Sequence, residues 1–323
     1  MMASRPAMLV TGATGYIGTA LTAALSAASC IVRTLSRADF SAGLKADSFA
    51  DVDTVFHLSA QTNLRFAEQH PAEDERANVA PLEGLLKVVR PGTRVVLAST
   101  VTIAGLASRI DHRTPDAPIS VYDRHKLAAE RILHGATAAG HVRGIGLRLA
   151  NVYGFGNQSR NTERSVLNLM MRRALAQQPL TLYGDGAYVR DFIHLSDVVA
   201  ALVAAGSADA PVGSFPIGSG TGTTLAACFA LVANEAERLT GRPVSITRVP
   251  EPADLHAIER RNAIVDPAAF RAATGWRPRT SLRDGIRGDL ARFSAAAALS
   301  DVAGTAVASA PLDRAALKGA IAP

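Results

Sequence analysis

The feature that most constrains the fold is a glycine-punctuated loop near the start of the chain. Residues 8–11 form a short apolar run, Gly12-Ala13-Thr14-Gly15-Tyr16-Ile17-Gly18 follows directly, and residues 19–28 are rich in Ala and Leu. An apolar run, a glycine loop and a stretch of good helix formers predict strand, tight turn and helix in succession. The alternation continues. Residues 30–36 read as a second strand, and residues 53–58 and 94–98 as strands of the kind buried on both faces of a parallel sheet. Residues 144–149 form another strand, with helical patterns at 78–89 and 122–134 between. This order predicts an α/β chain with a doubly wound parallel sheet. The second half is less regular: helices are expected at 165–177 and 225–239, and short strands at 179–183 and 244–249. From about Ser294 the chain turns Ala/Ser-rich, which predicts a poorly ordered tail with a helical turn or two at 312–320.

With 323 residues, 48% of them hydrophobic, the chain has material for a large core and a smaller lobe beside it. The formal charge of +6 comes without any long Lys/Arg run, so neither nucleic acid nor a membrane surface is an expected partner. The surplus arginines serve a solvated surface, or some of them meet an anionic, phosphate-bearing ligand. Cys30 and Cys228 are too few and too far apart for a disulfide framework or a Cys-type zinc site, and are read as small buried hydrophobes. The eight histidines lack zinc-ligand spacing, and no metal is expected. No apolar segment resembles a signal peptide or a membrane span, so a cytoplasmic protein is expected.

Three features carry chemistry. Gly12, Gly15 and Gly18 lie between a strand and a helix, the context a dinucleotide site requires. One glycine permits the tight turn, another close approach of a pyrophosphate, the last close helix–strand packing, and the helix N-terminus supplies N–H groups and partial positive charge. The spacing is GxxGxxG rather than GxGxxG, and a loop that merely turns the chain is the bland alternative. Next, Tyr122 and Lys126 share a helical face four residues apart. A phenol titrates near 10, too high for a base at neutrality, and a neighbouring ammonium stabilises the phenolate. Without such a role Tyr122 is an interfacial aromatic and Lys126 a solvated charge. Finally, Ser99 and Thr100 lie just past a buried strand, where a hydroxyl can bond a substrate oxygen, or simply turn the chain.

In this order the features resemble the extended short-chain dehydrogenase/reductase family of NDP-sugar epimerases, dehydratases and ketoreductases. The resemblance spans about residues 8–292. It rests on residues 10–18, Val55-Phe56-His57-Leu58-Ser59-Ala60, Asn78-Val79, Tyr122-Asp123-Arg124-His125-Lys126, and residues 147–154, 189–194 and 274–278. It implies a Rossmann-type NAD(P)-binding domain over 1–165, also receiving part of 187–222. A smaller C-terminal substrate-binding lobe over 166–294 and the tail over 295–323 complete the chain. Thr100, Tyr122 and Lys126 fall on the catalytic positions. Gly12, Thr14, Gly15, Tyr16, Ile17, Gly18, Leu58, Ser59, Ala60 and Lys126 fall on cofactor positions. Asn151 and Arg190 match residues that contact the nucleotide-sugar, and Tyr183 matches one that packs beside the base. Arg261 is a phosphate candidate or a surface arginine, because the pattern around it, Glu259-Arg260-Arg261-Asn262, is rearranged. The family also implies a homodimer, packed through the helices after Arg65 and around Tyr122.

Departures from the family pattern narrow the reaction. Val101-Thr102 follows Thr100 where 4,6-dehydratases carry Asp-Glu, so the acid and base for eliminating water are missing. Hydride chemistry at one carbon remains: reduction of a 4-keto-(deoxy)hexose, or 4-epimerisation with tightly bound NAD. No acid precedes Asp39 after the second strand, and Ser36 and Arg37 suit a 2′-phosphate. NADP(H) is therefore favoured over NAD(H), although Arg37 also reads as an exposed loop charge. His57 is expected to pack or hydrogen-bond near the cofactor, His194 to be structural, and Asn78 to cap its helix, the favoured reading, or to touch the substrate channel. A dinucleotide-binding protein without catalysis is the remaining alternative.

Overall fold

The computed structural model describes residues 5–156 and 165–302. The first half runs β1 (Ala7–Thr11), α1 (Tyr16–Ala27), β2 (Ile31–Leu35), α2 (Arg37–Ala42), β3 (Thr54–His57), α3 (Leu64–Gln69), α4 (Pro71–Asn78), α5 (Ala80–Leu86), β4 (Arg94–Thr100), β5 (Arg109–Ile110), α6 (Val121–Ala138) and β6 (Arg143–Leu149). The second half runs β7 (Asn151–Tyr153), α7 (Val166–Leu175), β8 (Leu180–Tyr183), β9 (Val189–His194), α8 (Leu195–Ala205), β10 (Gly213–Ile217), β11 (Gly222–Thr224), α9 (Leu225–Thr240), β12 (Ile246–Val249), β13 (Ile264–Val265), α10 (Ala268–Thr274) and α11 (Leu282–Val302).

Six strands form one sheet in the order β10-β6-β4-β3-β1-β2, every pair parallel. Register aligns their C-terminal ends: Thr11 pairs with Leu35 and His57, and Thr100 and Ile217 both pair with Leu149. The residues that follow these ends therefore meet along one rim. The winding changes direction at β1, with β2 on one side and β3 on the other. This is the switch point where open α/β sheets place their ligands. Residues 37–53 give only α2 and a short 3-10 turn at Ala46–Phe49, so β2 remains an edge strand. Pro216 lies in β10, the opposite edge, where a missing N–H is tolerated.

Neighbouring residues of the inner strands face opposite layers. Val10, Phe56 and Val96 pack with Leu21, Leu25, Val198 and Leu202, while Leu9, Val55 and Val95 pack with Leu82, Leu85, Ala129 and Leu133. Burial on both faces explains the unbroken apolar runs in the sequence. A separate cluster, including Leu167, Met170, Phe229, Val232, Ile286 and Leu290, joins α7, α9 and α11. Asn168 links α7 to the glycine loop. It holds Gly154 through both its amide nitrogen, at 3.0 Å, and its oxygen, at 2.9 Å, and donates to the Tyr16 hydroxyl at 3.2 Å.

Several expectations need correction. The helix read at 78–89 is α5, Ala80–Leu86, which starts two residues later: Val79 separates it from α4, and Pro81 sits in its first turn because it cannot continue an upstream helix. Asn78 consequently ends α4 instead of capping a helix start, and its buried amide donates to the Gln61 carbonyl at 3.1 Å. Helix α11 extends to Val302, since Ala295–Ala298 are strong helix formers continuing an existing helix. The rest of the expected tail, with residues 312–320, lies outside the described residues. Cys228 is buried, but Cys30 only partly so. Among the described residues no helix is long and apolar enough to cross a membrane, and no group of side chains has metal-ligand geometry.

Candidate active site

A cavity of about 250 Å³ opens at the aligned strand ends. Its walls include the glycine loop, Leu58 and Ala60 after β3, Thr100 ending β4, Tyr122 and Lys126 on α6, and Asn151 starting β7. Backbone requirements explain the loop. Gly12 has φ +68°, and a Cβ there would lie 2.7 Å from the Ser59 nitrogen. A Cβ on Gly18 would lie 2.0 Å from the Gly12 carbonyl oxygen. Both obstacles are backbone atoms, so no side-chain motion relieves them. Gly15 caps α1 without a side-chain hydrogen bond, and the first turn of α1 holds no acid. Free N–H groups at an uncapped helix start beside an empty-sided loop fit a pyrophosphate.

Thr11 braces this region from below. The Leu58 and Ser59 N–H groups both donate to its hydroxyl oxygen at 3.2 Å, and His57 Nδ1 lies 3.0 Å from that oxygen. Ser59 is turned toward Thr11, and Thr14 is exposed on the loop; neither lines the cavity. The Tyr16 hydroxyl donates to Gly154 O at 2.6 Å, so this side chain also ties α1 to the strand β7 region. His57 is fully buried and pushed down to about 3 by burial and by Lys126, which leaves it neutral.

Helix α6 starts at Ser120, whose hydroxyl accepts from the Asp123 N–H at 3.0 Å. That start sets Tyr122 and Lys126 one turn apart on the face that meets the cavity. Tyr122 packs with Leu64, Ala67 and Ile258. The Lys126 ammonium donates to Ala98 O at 2.7 Å. Burial pulls its pKa down to about 8, against the opposing pull of Glu130 and Asp74. Thr100 faces the same cavity, and its Oγ1 lies 2.7 Å from Thr102 Oγ1. The structure thus brings Thr100, Tyr122, Lys126 and the glycine loop to one space.

The remaining site residues divide into two groups. Asn151 lines the cavity and accepts from Arg261 Nη2 at 3.5 Å. Arg190 donates to the carbonyls of Arg261 and Glu259. Both arginines are buried, and burial, with their mutual repulsion, acts against the charge of Arg261. Arg261 is therefore no surface residue. Tyr183 ends β8, half-buried and outside the cavity wall; burial, then Glu259 and Asp254, raise its pKa. At the opposite end, Ser36 and Arg37 are exposed, and Ser36 is already engaged. Its N–H and hydroxyl both donate to Asp39 Oδ2 at 2.7 Å, closing a capping box at the start of α2. A carboxylate does therefore stand beyond β2, and the Ser36 donors are occupied by it.

Other residues at the site carried no recognised signal. Thr102 and Asp123 meet behind Thr100. Glu130 lies under Ser99, which donates to it, and pairs with Arg148 at 2.7 Å. The spacing of Ser36 and Asp39 was a readable capping pattern; the contacts of Thr102, Asp123 and Glu130 join distant segments and leave no local pattern. His194 caps α8 through Nδ1 and lies 3.2 Å from Asp289, a structural arrangement.

Comparison with known proteins agrees with this architecture. The model of the NAD dependent epimerase/dehydratase family matches residues 8–218. A dTDP-6-deoxy-L-talose 4-dehydrogenase (NAD(P)(+)) from Kitasatospora kifunensis is 30% identical over 315 residues, covering 86% of this chain and 92% of the relative. The UDP-glucose 4-epimerase of Thermotoga maritima, solved with UDP-glucose, is 26% identical with a TM-score of 0.74, covering 90% of this chain and 99% of that one. MoeE5, solved with UDP-glucose and NAD, is 27% identical with a TM-score of 0.76 over the same shares. The chain belongs to the NAD-dependent epimerase/dehydratase family and is an enzyme of the epimerase and oxidoreductase type.

Proposed function

We propose that this enzyme reduces the 4-keto group of an NDP-linked deoxyhexose, using a nicotinamide dinucleotide. The observation that carries the reading is the single cavity shared by the glycine loop, Thr100, Tyr122 and Lys126. The whole-length likeness to a 4-dehydrogenase supports the position of attack, since a 4-dehydrogenation reversed is a 4-keto reduction. Residues 1–165 with part of 187–222 form the dinucleotide-binding domain in this reading, and 166–294 the substrate lobe.

When bound, the cofactor supplies the hydride that the protein lacks. The chain's own groups place the sugar and move the proton. Tyr122 protonates the nascent alkoxide, Thr100 orients the carbonyl oxygen, and the charged Lys126 favours the tyrosine's ionised form. In this reading Asn151, in the cavity wall, and Arg190 and Arg261, buried outside it, serve the diphosphate, and Tyr183 serves the base. With Ser36 occupied as a cap, a preference for NADP(H) over NAD(H) rests on Arg37 against the nearby Asp39 carboxylate.

A second reading, 4-epimerisation with retained NAD, draws support from the likeness to a UDP-glucose 4-epimerase. One experiment separates them: incubation with NDP-4-keto-6-deoxyhexoses and NDP-hexoses, following NADPH absorbance and sugar products together. The reductase consumes one NADPH per keto-sugar. Interconversion of an NDP-hexose with its 4-epimer at constant absorbance overturns the first reading in favour of the second.

A further inference from the structure

A line of three polar side chains leads from the cavity into the protein. Thr100 Oγ1 accepts from the Thr102 N–H at 3.2 Å and shares a hydrogen with Thr102 Oγ1 at 2.7 Å. The Thr102 hydroxyl bonds Asp123 Oδ1 in turn. Asp123 is completely buried, directly after Tyr122 on α6, and its Oδ2 has no partner among the described residues. Each hydroxyl has one hydrogen to give. With Asp123 ionised, Thr102 donates to the carboxylate, and Thr100 must then donate to Thr102. Its hydrogen points inward, and only a lone pair faces the cavity. With Asp123 protonated, the acid donates to Thr102, Thr102 donates to Thr100, and the Thr100 hydrogen is free to meet a substrate oxygen.

We propose that Asp123 is a positioning residue whose proton sets the donor direction of Thr100. The inference rests on the proposed reading of the cavity as a keto-sugar site and adds a requirement to it. A carbonyl oxygen only accepts, so keto reduction needs the protonated form. A sugar hydroxyl can donate to the lone pair, so the ionised form serves the alcohol.

The surroundings act on Asp123 in opposite directions. Burial pushes Asp123 upward, while the hydroxyls of Thr102 and Ser120 and the guanidinium of Arg261 pull it downward; the net direction is upward. Arg261 is the charged group acting on Asp123 from outside α6, and it is itself coupled to Arg190 and Glu259. Its Nε, like Asp123 Oδ2, is buried without a partner among the described residues.

The test uses the full-length protein labelled with ¹³Cγ-aspartate, the Asp123 signal being assigned by its loss in Asp123→Asn. Its midpoint should lie above the ordinary aspartate value of about 4. Thr102→Val should raise it further by removing a donor to the carboxylate. With NADPH and a dTDP-4-keto-6-deoxyhexose, kcat should fall as pH rises through the measured midpoint. Asp123→Asn, whose amide donates at every pH, should extend the plateau upward. Thr102→Val should lower kcat about tenfold, the scale of one oriented hydrogen bond, and abolish that pH limb; Thr102→Ser should restore both. An ordinary midpoint, or a pH limb unchanged in Asp123→Asn and Thr102→Val, overturns the proposal. The midpoint and its response to Thr102→Val judge the relay without turnover, so failure on every NDP-sugar, with a raised midpoint, defeats the proposed function alone.

Discussion

Glu130→Gln is the perturbation whose cost the structure defines best. Glu130 is fully buried on α6 and receives Arg148 through Nη2 at 2.7 Å and Nε at 3.1 Å. The hydroxyls of Ser99 and Ser214 also donate to it, the latter at 2.7 Å. Burial alone would raise this carboxyl, but Arg148 and the two serines outweigh it and hold it below its ordinary value. The amide removes the charge and keeps the shape. Arg148 then retains only Asp116, at 2.8 Å, whose side chain is 34% exposed. Stripping one partner from a buried pair costs about 3–5 kcal/mol, and the surviving Asp116 places the expected loss near ~3 kcal/mol. At roughly 2–4 °C per kcal/mol for a chain of this size, thermal unfolding should shift down by roughly 6–12 °C. Urea unfolding and calorimetry measure it. A carboxyl lowered by folding contributes stability above its unfolded pKa and loses it as pH falls through the folded one. Wild type and variant should therefore converge in acid, below the ordinary carboxylate range. Glu130→Gln/Arg148→Met leaves no buried charge unpaired, only Asp116 with its partial access to solvent, and should regain much of the loss. A single-variant loss below about 1 kcal/mol, or a double variant that loses the sum of its singles, refutes the reasoning.

Four further outcomes are expected. Tyr122→Phe should keep the fold and cofactor binding but lose roughly 10²–10⁴-fold in turnover; near-normal kcat in purified protein contradicts its proton-donor role. Arg37→Ala should narrow the ratio of NADPH to NADH affinity and Asp39→Ala should widen it, as read by titration calorimetry; no movement in either variant removes both residues from cofactor choice. Lys126 is charged below its folded pKa of about 8 and neutral above it, so dinucleotide affinity should weaken as pH rises through about 8; a flat profile beyond that point counts against the ammonium as a binding group. The chain should scatter as a dimer at working concentration, packed through α3, α4 and α6 without large fully exposed apolar side chains. The large exposed apolar side chains, Ile31, Leu106, Val203, Val212, Leu239 and Ile246, lie off α3, α4 and α6, and a monomer by solution scattering ends the proposal.

What the sequence made legible was covalently local. The glycine loop and the Tyr122–Lys126 pair are fixed by spacing along one turn or one helix. The buried strands show as apolar runs because both of their faces are covered. Contacts between distant segments were not legible. Arg261 meets Asn151 across 110 residues of chain, and Thr102 meets Asp123 across 21; no local pattern encodes either. Other misses had a readable signal that was outweighed. Pro81 marked the first turn of α5, yet the helix was read from Asn78, which ends the helix before it. The alanines from 295 favoured helix, yet their low complexity suggested a tail. Ser36 was read as a phosphate ligand because it follows a strand, and its capping of α2, signalled by Asp39 three residues on, went unread.

The distribution of charge around the cavity ties these observations together. Lys126, Arg190 and Arg261 are all buried, and burial lowers the pKa of each. Carboxylates compensate only partly. Glu130 and Asp74 support Lys126, and Glu259 stands near both arginines but is itself raised by burial. Glu130 is already committed to Arg148. Three desolvated cations with incomplete compensation are costly, and in the proposed reading a bound anion offsets part of that cost. A diphosphate brings two negative charges with oxygens that accept from guanidinium and backbone N–H alike. If Arg261 takes the diphosphate as proposed, its field at Asp123 weakens, and the protonated carboxyl that the proposed relay requires is favoured. On the proposed reading, binding of the anion and readiness for keto reduction would be linked through Arg261.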